Sequence, residues 1–215
     1  MAVDAKICGL TRADDAAFAA RHGAWRLGVV FAGGPRAVTV EAARAVVAAA
    51  AGVPVLGVFG SQPLATILEV LTGAGLSGAQ LHGDITDIEA GELRRQRYEV
   101  WRVVPVDGES ALAADLAYAA LEADAIVIEA RRPGGSGGLG VPIPLGVAAA
   151  ARRAAPPVRF VLAGGLTPES VGEAIRVVAP DVVDVSSGVE HTPGVKDHAR
   201  LARFLEIVRA THAAA

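Results

Sequence analysis

A single cysteine, Cys8, stands among 215 residues. That excludes a disulfide framework within the chain and a thiolate-held metal cluster. The five histidines (His22, His82, His191, His198, His212) show neither H-x-x-x-H nor H-E-x-x-H spacing, so no metal site is expected. Aromatic residues are only 4% of the chain, too few for a surface that stacks nucleic-acid bases. Neither sign of charge dominates: 20 Lys and Arg against 23 Asp and Glu give a formal net charge of -3. No basic patch points to a polyanionic partner. No uninterrupted apolar run approaches the roughly 18 residues of a membrane span, and MAVDAKICGLTRADD has no apolar stretch of signal-peptide length. The expectation is a soluble, cytoplasmic protein without nucleic-acid or membrane partners.

What the chain does hold is apolar material, 52% of its residues, arranged as short β-branched runs alternating with longer Ala-rich segments. Candidate strands are Asp4–Cys8, Leu27–Phe31, Val53–Phe59, Ala79–His82, Glu99–Val104, Asp124–Glu129, Arg159–Ala163 and Val182–Ser186. Helix-like stretches such as VEAARAVVAAA, PLATILEVLTGAG and PESVGEAIRVVA lie between them, and DHARLARFLEIVRA follows the last. Several open with Thr, Asp or Ser, or carry Pro in the first turn. Runs such as VLGVF and AIVI are apolar on both faces, as in a parallel sheet covered by helices. An open doubly wound sheet competes, but its G-x-G-x-x-G turn after the first strand is missing. Eight strand–helix units at a spacing of about 25 residues favour an α/β fold of one (β/α)8 TIM barrel, a single domain over residues 1–215.

A barrel of this kind places its chemistry at the C-terminal ends of the strands. Three Gly-rich turns follow strands six, seven and eight: RRPGGSGGLG, AGGLTPES and SSGVEHTPG. One such turn would be no more than tight backbone, but three in succession favour phosphate binding by backbone N–H groups. Cys8 ends the first strand, and Lys6, two residues earlier, points the same way. A nearby ammonium favours the thiolate, the form a general base needs. Asp184 on strand eight is a candidate partner for Lys6, either as a structural pair or with a direct role. Glu129 ends the sixth strand after AIVI. Partial burial favours the protonated form of a carboxylate, as a general acid requires; a solvated carboxylate beside Arg131 or Arg132 is the plainer alternative. Arg36, after strand two, has the fork to hold a substrate carboxylate. His82 and Asp84, after strand four, could line the rim.

Together these segments resemble the phosphoribosylanthranilate isomerase family of tryptophan biosynthesis. The resemblance rests on KICGLT (Lys6–Thr11), VVFAGGPR (Val29–Arg36), GVF (Gly57–Phe59), QLHGD (Gln80–Asp84), GGSG (Gly134–Gly137), LAGGLTPESV (Leu162–Val171) and VDVSSGVEHTPGVKD (Val183–Asp197), in the family's order over nearly the whole chain. It implies an Amadori rearrangement of N-(5-phosphoribosyl)anthranilate, without metal or organic cofactor, on a small phosphorylated substrate. It further implies Cys8 as general base and a carboxylic acid at strand six, with Arg36 on the anthranilate carboxylate and Asp184 near the anthranilate amine. Gly135, Ser136, Gly137, Gly164, Gly165, Ser187 and Gly188 would hold the phosphate, and His82 would contribute to substrate binding. The protein would be a monomer or a homodimer.

Two departures stand out. Glu129 occupies the place where the family typically has Asp, and GLGVPIP (Gly138–Pro144) replaces the family's Lys and its Phe–Asp–Trp stretch. Two other readings remain at this level. One is the same rearrangement on another phosphoribosyl amine, against which Cys8 argues. The other is a barrel that binds a phosphorylated ligand without turnover.

Overall fold

The computed structural model describes residues 2–83, 85–106, 112–130 and 142–213. Eight parallel strands close on themselves in sequence order. They are β1 (Asp4–Ile7), β2 (Arg26–Val30), β3 (Val55–Phe59), β4 (Gly78–Leu81), β5 (Glu99–Val106), β6 (Ala125–Ala130), β7 (Arg159–Ala163) and β8 (Val182–Val185). Closure is made by β1 against β8, with Lys6 opposite Asp184. The helices are α1 (Ala13–Arg21), α2 (Val40–Ala49), α3 (Leu64–Ala74), α4 (Asp87–Arg95), α5 (Leu112–Ala119), α6 (Leu145–Ala154), α7 (Val171–Val178) and α8 (His198–Ala213).

Local chemistry sets the helix ends. Thr39 caps α2 by accepting from the Ala42 N–H at 3.2 Å. Thr86 and Glu89 form a reciprocal capping box on α4. Gly75, with φ +71°, stops α3 in the left-handed conformation that glycine adopts without steric penalty. PESVGEAIRVVA becomes helical only from Val171, because Thr167 and Ser170 form a turn of their own: the Thr167 N–H donates to Ser170 Oγ at 3.0 Å.

Strand alternation separates two apolar layers. Outward residues such as Ile7, Leu27, Val29, Ile126, Ile128 and Val183 pack beneath the helices. Inward residues Leu56, Trp101, Ala125, Val127, Val161 and Val182 fill the barrel axis. The same inward parity places Lys6 and Cys8 on the β1 side, Gln80 and His82 on the β4 side, Glu129 on β6, and Asp184 and Ser186 on the β8 side. Polar residues therefore begin above an apolar plug: Lys6 Nζ lies 5.6 Å from the centre of the Trp101 ring.

One element was not expected from the sequence. After β8, a single 3-10 turn (Ser187–Val189) leads into a short antiparallel hairpin, β9 (Glu190–Thr192) and β10 (Val195–Lys196). Gly194 turns it at φ +83°, and the Thr11 hydroxyl donates to the Gly194 carbonyl at 2.5 Å.

Candidate active site

The C-terminal mouth is built around a buried pair. Lys6 Nζ donates to Asp184 Oδ2 at 2.6 Å, and the two side chains are 0% and 5% exposed. Burial alone would drive the Lys6 ammonium toward neutrality, but Asp184 and Cys8 outweigh it and hold its pKa above the ordinary value. Among the described residues, the other carboxylate oxygen, Asp184 Oδ1, is buried and has no partner, and the same holds for Gln80 Oε1. Each is an acceptor that folding has left unfilled, at a cost of about 1–3 kcal/mol.

Cys8 is 8% exposed, and Lys6 acts on it in the expected direction, against its burial. Burial pushes its pKa above the ordinary thiol value, Lys6 pulls it down, and Asp184 pushes it up again; the net direction is upward. Gly28 of β2 makes room for this group: a Cβ there would lie 2.9 Å from Cys8 Sγ and 3.1 Å from Lys6 Cε. Sequence reading missed Gly28, although a glycine at an inward position opposite a candidate base was a usable signal.

Across the barrel, Glu129 is not a solvated carboxylate. Its side chain is 12% exposed, and Oε1 lies 3.3 Å from His82 Nδ1. Gln80 Nε2 lies 3.3 Å from His82 Nε2. His82 thus bridges Gln80 on its own strand and Glu129 on β6. The alternative partners Arg131 and Arg132 lie outside the described residues, as do Asp84, Gly134, Gly135, Ser136 and Gly137.

The other two glycine loops come together. A Cβ on Gly188 would fall 1.9 Å from the Leu166 carbonyl oxygen, so only glycine lets the turn after β8 lie on the turn after β7. Gly164 and Gly165 have φ of +93° and +65°. Among the described residues, the N–H groups of Gly164, Gly165, Ser187 and Gly188 donate to nothing, which leaves four donors in adjoining turns.

Arg36 lies at the same mouth and has a protein partner that the sequence did not suggest. Its guanidinium grips Glu190 through Nε at 2.9 Å and Nη2 at 2.7 Å, a bond that raises the Arg36 pKa. Glu190 also meets Lys196 Nζ at 2.9 Å. Burial on its own would push the Glu190 carboxyl up, but Arg36 and Lys196 hold it below the usual carboxylate range. Neither Glu190 nor Lys196 was singled out from sequence; only the alternation E-H-T-P-G-V-K, a Pro-Gly turn between β-type pairs, hinted at them. No group of three or more His, Cys, Asp or Glu side chains suited to a metal ion occurs among the described residues, and no described helix is long and apolar enough to cross a membrane.

Residues 5–207 match the family model described as N-(5'phosphoribosyl)anthranilate (PRA) isomerase. The N-(5'-phosphoribosyl)anthranilate isomerase of Pseudomonas fluorescens (strain Pf0-1) is 39% identical over 97% of this chain and 99% of its own. The crystal structure of the isomerase from Thermotoga maritima, an enzyme described as dimeric, superposes with a TM-score of 0.85 at 32% identity, covering 97% and 99% of the two chains. A phosphoribosylanthranilate isomerase in complex with reduced 1-(o-carboxyphenylamino)-1-deoxyribulose 5-phosphate superposes at 0.82 with 31% identity over 97% of this chain and 99% of that one. The mouth of inward Cys8, Glu129 and Asp184 above paired glycine turns thus sits on a chain alike from end to end: it belongs to the N-(5'-phosphoribosyl)anthranilate isomerase family.

Proposed function

We propose that this chain isomerises N-(5'-phosphoribosyl)anthranilate to 1-(o-carboxyphenylamino)-1-deoxyribulose 5-phosphate, with Cys8 as general base and Glu129 as general acid. The observation that carries the reading is the composition of the mouth. One buried thiol beside an ammonium stands at the end of β1, one carboxylate beside an imidazole stands at the end of β6, and four N–H donors with no partner among the described residues lie in the turns after β7 and β8.

The substrate phosphate occupies the turns at Gly164, Gly165, Ser187 and Gly188; Gly135, Ser136 and Gly137, expected from the resemblance to share it, lie outside the described residues. That fixes the ribose between base and acid, the positioning on which such catalysis depends. Glu129 in its acid form gives its proton to the furanose ring oxygen. The C1–O bond breaks, and nitrogen's lone pair forms the iminium. Cys8 then removes the C2 proton, and its electron pair flows to nitrogen as the enolamine. Reprotonation at C1 and loss of the C2 hydroxyl proton give the ketose, so no redox partner or cofactor is consumed. Asp184 Oδ1 is an acceptor suited to the anthranilate N–H. Filling it draws charge away from Cys8 and eases formation of the thiolate. Arg36 turns its outer edge to the anthranilate carboxylate.

The quaternary state is a monomer or homodimer, the site is cytoplasmic, and residues 1–215 act as one domain. The test is loss of anthranilate-type fluorescence, with substrate generated in situ, for the parent and Cys8→Ala. Turnover in the parent and its loss in the variant are expected, with ligand binding retained. A parent that binds a phosphorylated ligand without turnover would overturn the enzymatic reading, and near-normal kcat in Cys8→Ala would remove Cys8 as the base.

A further inference from the structure

Lys196 and Glu190 take no part in the proton transfers above, yet the buried side of the mouth is assembled on them. Lys196 has a side chain that is 0% exposed. Its ammonium meets three acceptors from three different segments: the Cys8 carbonyl at 2.6 Å, the Ser186 carbonyl at 3.1 Å and Glu190 Oε1 at 2.9 Å. Three donors, three acceptors and no room to turn make this a tripod. Its foot is also held, because the Lys196 N–H donates to Asp15 Oδ2 at 3.1 Å and Asp15 Oδ1 lies 2.9 Å from His198 Nε2.

Glu190 carries the arrangement outward. It takes the Nε and Nη2 edge of Arg36. The opposite edge of the guanidinium, Nη1 and the second N–H of Nη2, is left for a planar acceptor. The side chain of Arg36 passes over Gly9, where a Cβ would lie 2.7 Å from Arg36 Cδ and 2.6 Å from Ser186 Oγ. Gly9, at φ +71°, thus lets the base strand, the β8 turn and Arg36 meet. A buried ion pair is weak support for stability, since apolar side chains of equal volume often serve as well. The three-segment geometry needs another account.

We propose that Lys196 and Glu190 are positioning residues that form one buried bracket: Lys196 locks the backbone of Cys8 against the turn after β8, and Glu190 holds Arg36 by one edge so that the other faces the substrate carboxylate. The proposal rests on the reading of Cys8 as base and Arg36 as carboxylate holder.

Three variants test it, each read by steady-state kinetics, circular dichroism and the pH dependence of iodoacetamide alkylation. Cys8 is the only cysteine, so alkylation reports on it alone. The charged groups around it are Lys6 on β1, Asp184 on β8, Lys196 on β10 and Arg36 after β2. Lys196→Met should lower kcat about a hundredfold, the scale of an ångström misplacement, with KM within about threefold of the parent. Its alkylation midpoint should rise, because one cation that favours the thiolate is gone. Glu190→Gln should instead raise KM roughly tenfold, the loss of one charge-assisted bond, with kcat nearly kept. Parent-like kcat and alkylation in Lys196→Met, or a parent-like KM in Glu190→Gln, overturns the corresponding half. If Lys196→Met fails to fold, Lys196→Arg decides: its planar fork cannot reach a tripod of acceptors, so a folded variant with kcat down about tenfold or more supports the bracket. Parent-like kcat there, or failure of both Lys196 variants to fold, assigns Lys196 to structure alone. Absence of turnover in the parent would sink the proposed reaction, and the alkylation shift would still answer for the bracket.

Discussion

At the N-terminal end of the strands, Trp101 Nε1 donates to Glu99 at 2.7 Å, Arg26 pairs with the same carboxylate at 2.9 Å, and Arg159 meets Asp4 at 3.1 Å. Arg26 and Arg159 both lie over the Trp25 ring. At the C-terminal end, inward positions around the barrel carry Asp184 and Gln80, each with one side-chain oxygen unfilled among the described residues, and a thiol whose pKa burial pushes up. One alternation serves both ends, yet only the first is complete within itself. A fold that satisfies its polar groups at one mouth and withholds partners at the other is trading stability for a ligand's donors at the second.

The sharpest way to break that comparison is to remove a proton-transfer group from the unfinished end. Glu129→Gln keeps the size of the side chain and its contact with His82 but cannot give up a proton. It should lose about two to four orders of magnitude in kcat, while Glu129→Asp stays active. Normal turnover in Glu129→Gln would place the acid elsewhere.

Next in size is Gly28→Ala. The added methyl meets Cys8 Sγ at 2.9 Å and Lys6 Nζ at 3.3 Å, so either the base or its ammonium must move. The expected result is a kcat reduced about a hundredfold, with the melting temperature changed far less than that loss would suggest. If activity survives, the base tolerates displacement and the space over β2 has no catalytic meaning.

A subtler probe is ionisation. Burial pushes the pKa of the Cys8 thiol above its ordinary value in the folded protein. A weak acid whose pKa is raised by folding favours the native state below the unfolded value and loses that contribution as pH climbs through the folded one. Alkylation of Cys8 in the free protein should therefore keep rising with pH beyond the ordinary thiol value. A midpoint below that value would mean that Lys6 outweighs burial, and that the thiolate is ready before substrate arrives.

Much of this was legible in the sequence. The eight strands were found to within a residue or two at nearly every end, because burial on both faces writes itself as continuous apolar runs. The Lys6–Asp184 pair followed from parity and barrel closure alone. What escaped was whatever depends on distances between loops. That Arg36 would be gripped by Glu190 needs the loop after β2 to meet the hairpin after β8, 154 residues later. That the Cys8 pKa would be pushed up rather than down needs the balance of burial and Asp184 against Lys6. Pattern can place residues on one rim, but it cannot sum their fields.

The finished end supplies the smallest effect and the control for all the others. Arg26 and Glu99 are 18% and 21% exposed, and such a pair contributes about 0–1 kcal/mol. Arg26→Met removes the charge and keeps much of the stem that covers Trp25. Glu99 is not orphaned, because Trp101 still donates to it at 2.7 Å. We expect a melting temperature lowered by no more than about 2–4 °C, the shift of roughly 1 kcal/mol in a chain of this size, with kcat and KM equal to the parent's. A kinetic change without a stability change would mean that the two mouths are coupled through the apolar plug, with Lys6 over Trp101 as the link. The contrast between a self-sufficient end and a ligand-awaiting end would then have to be given up.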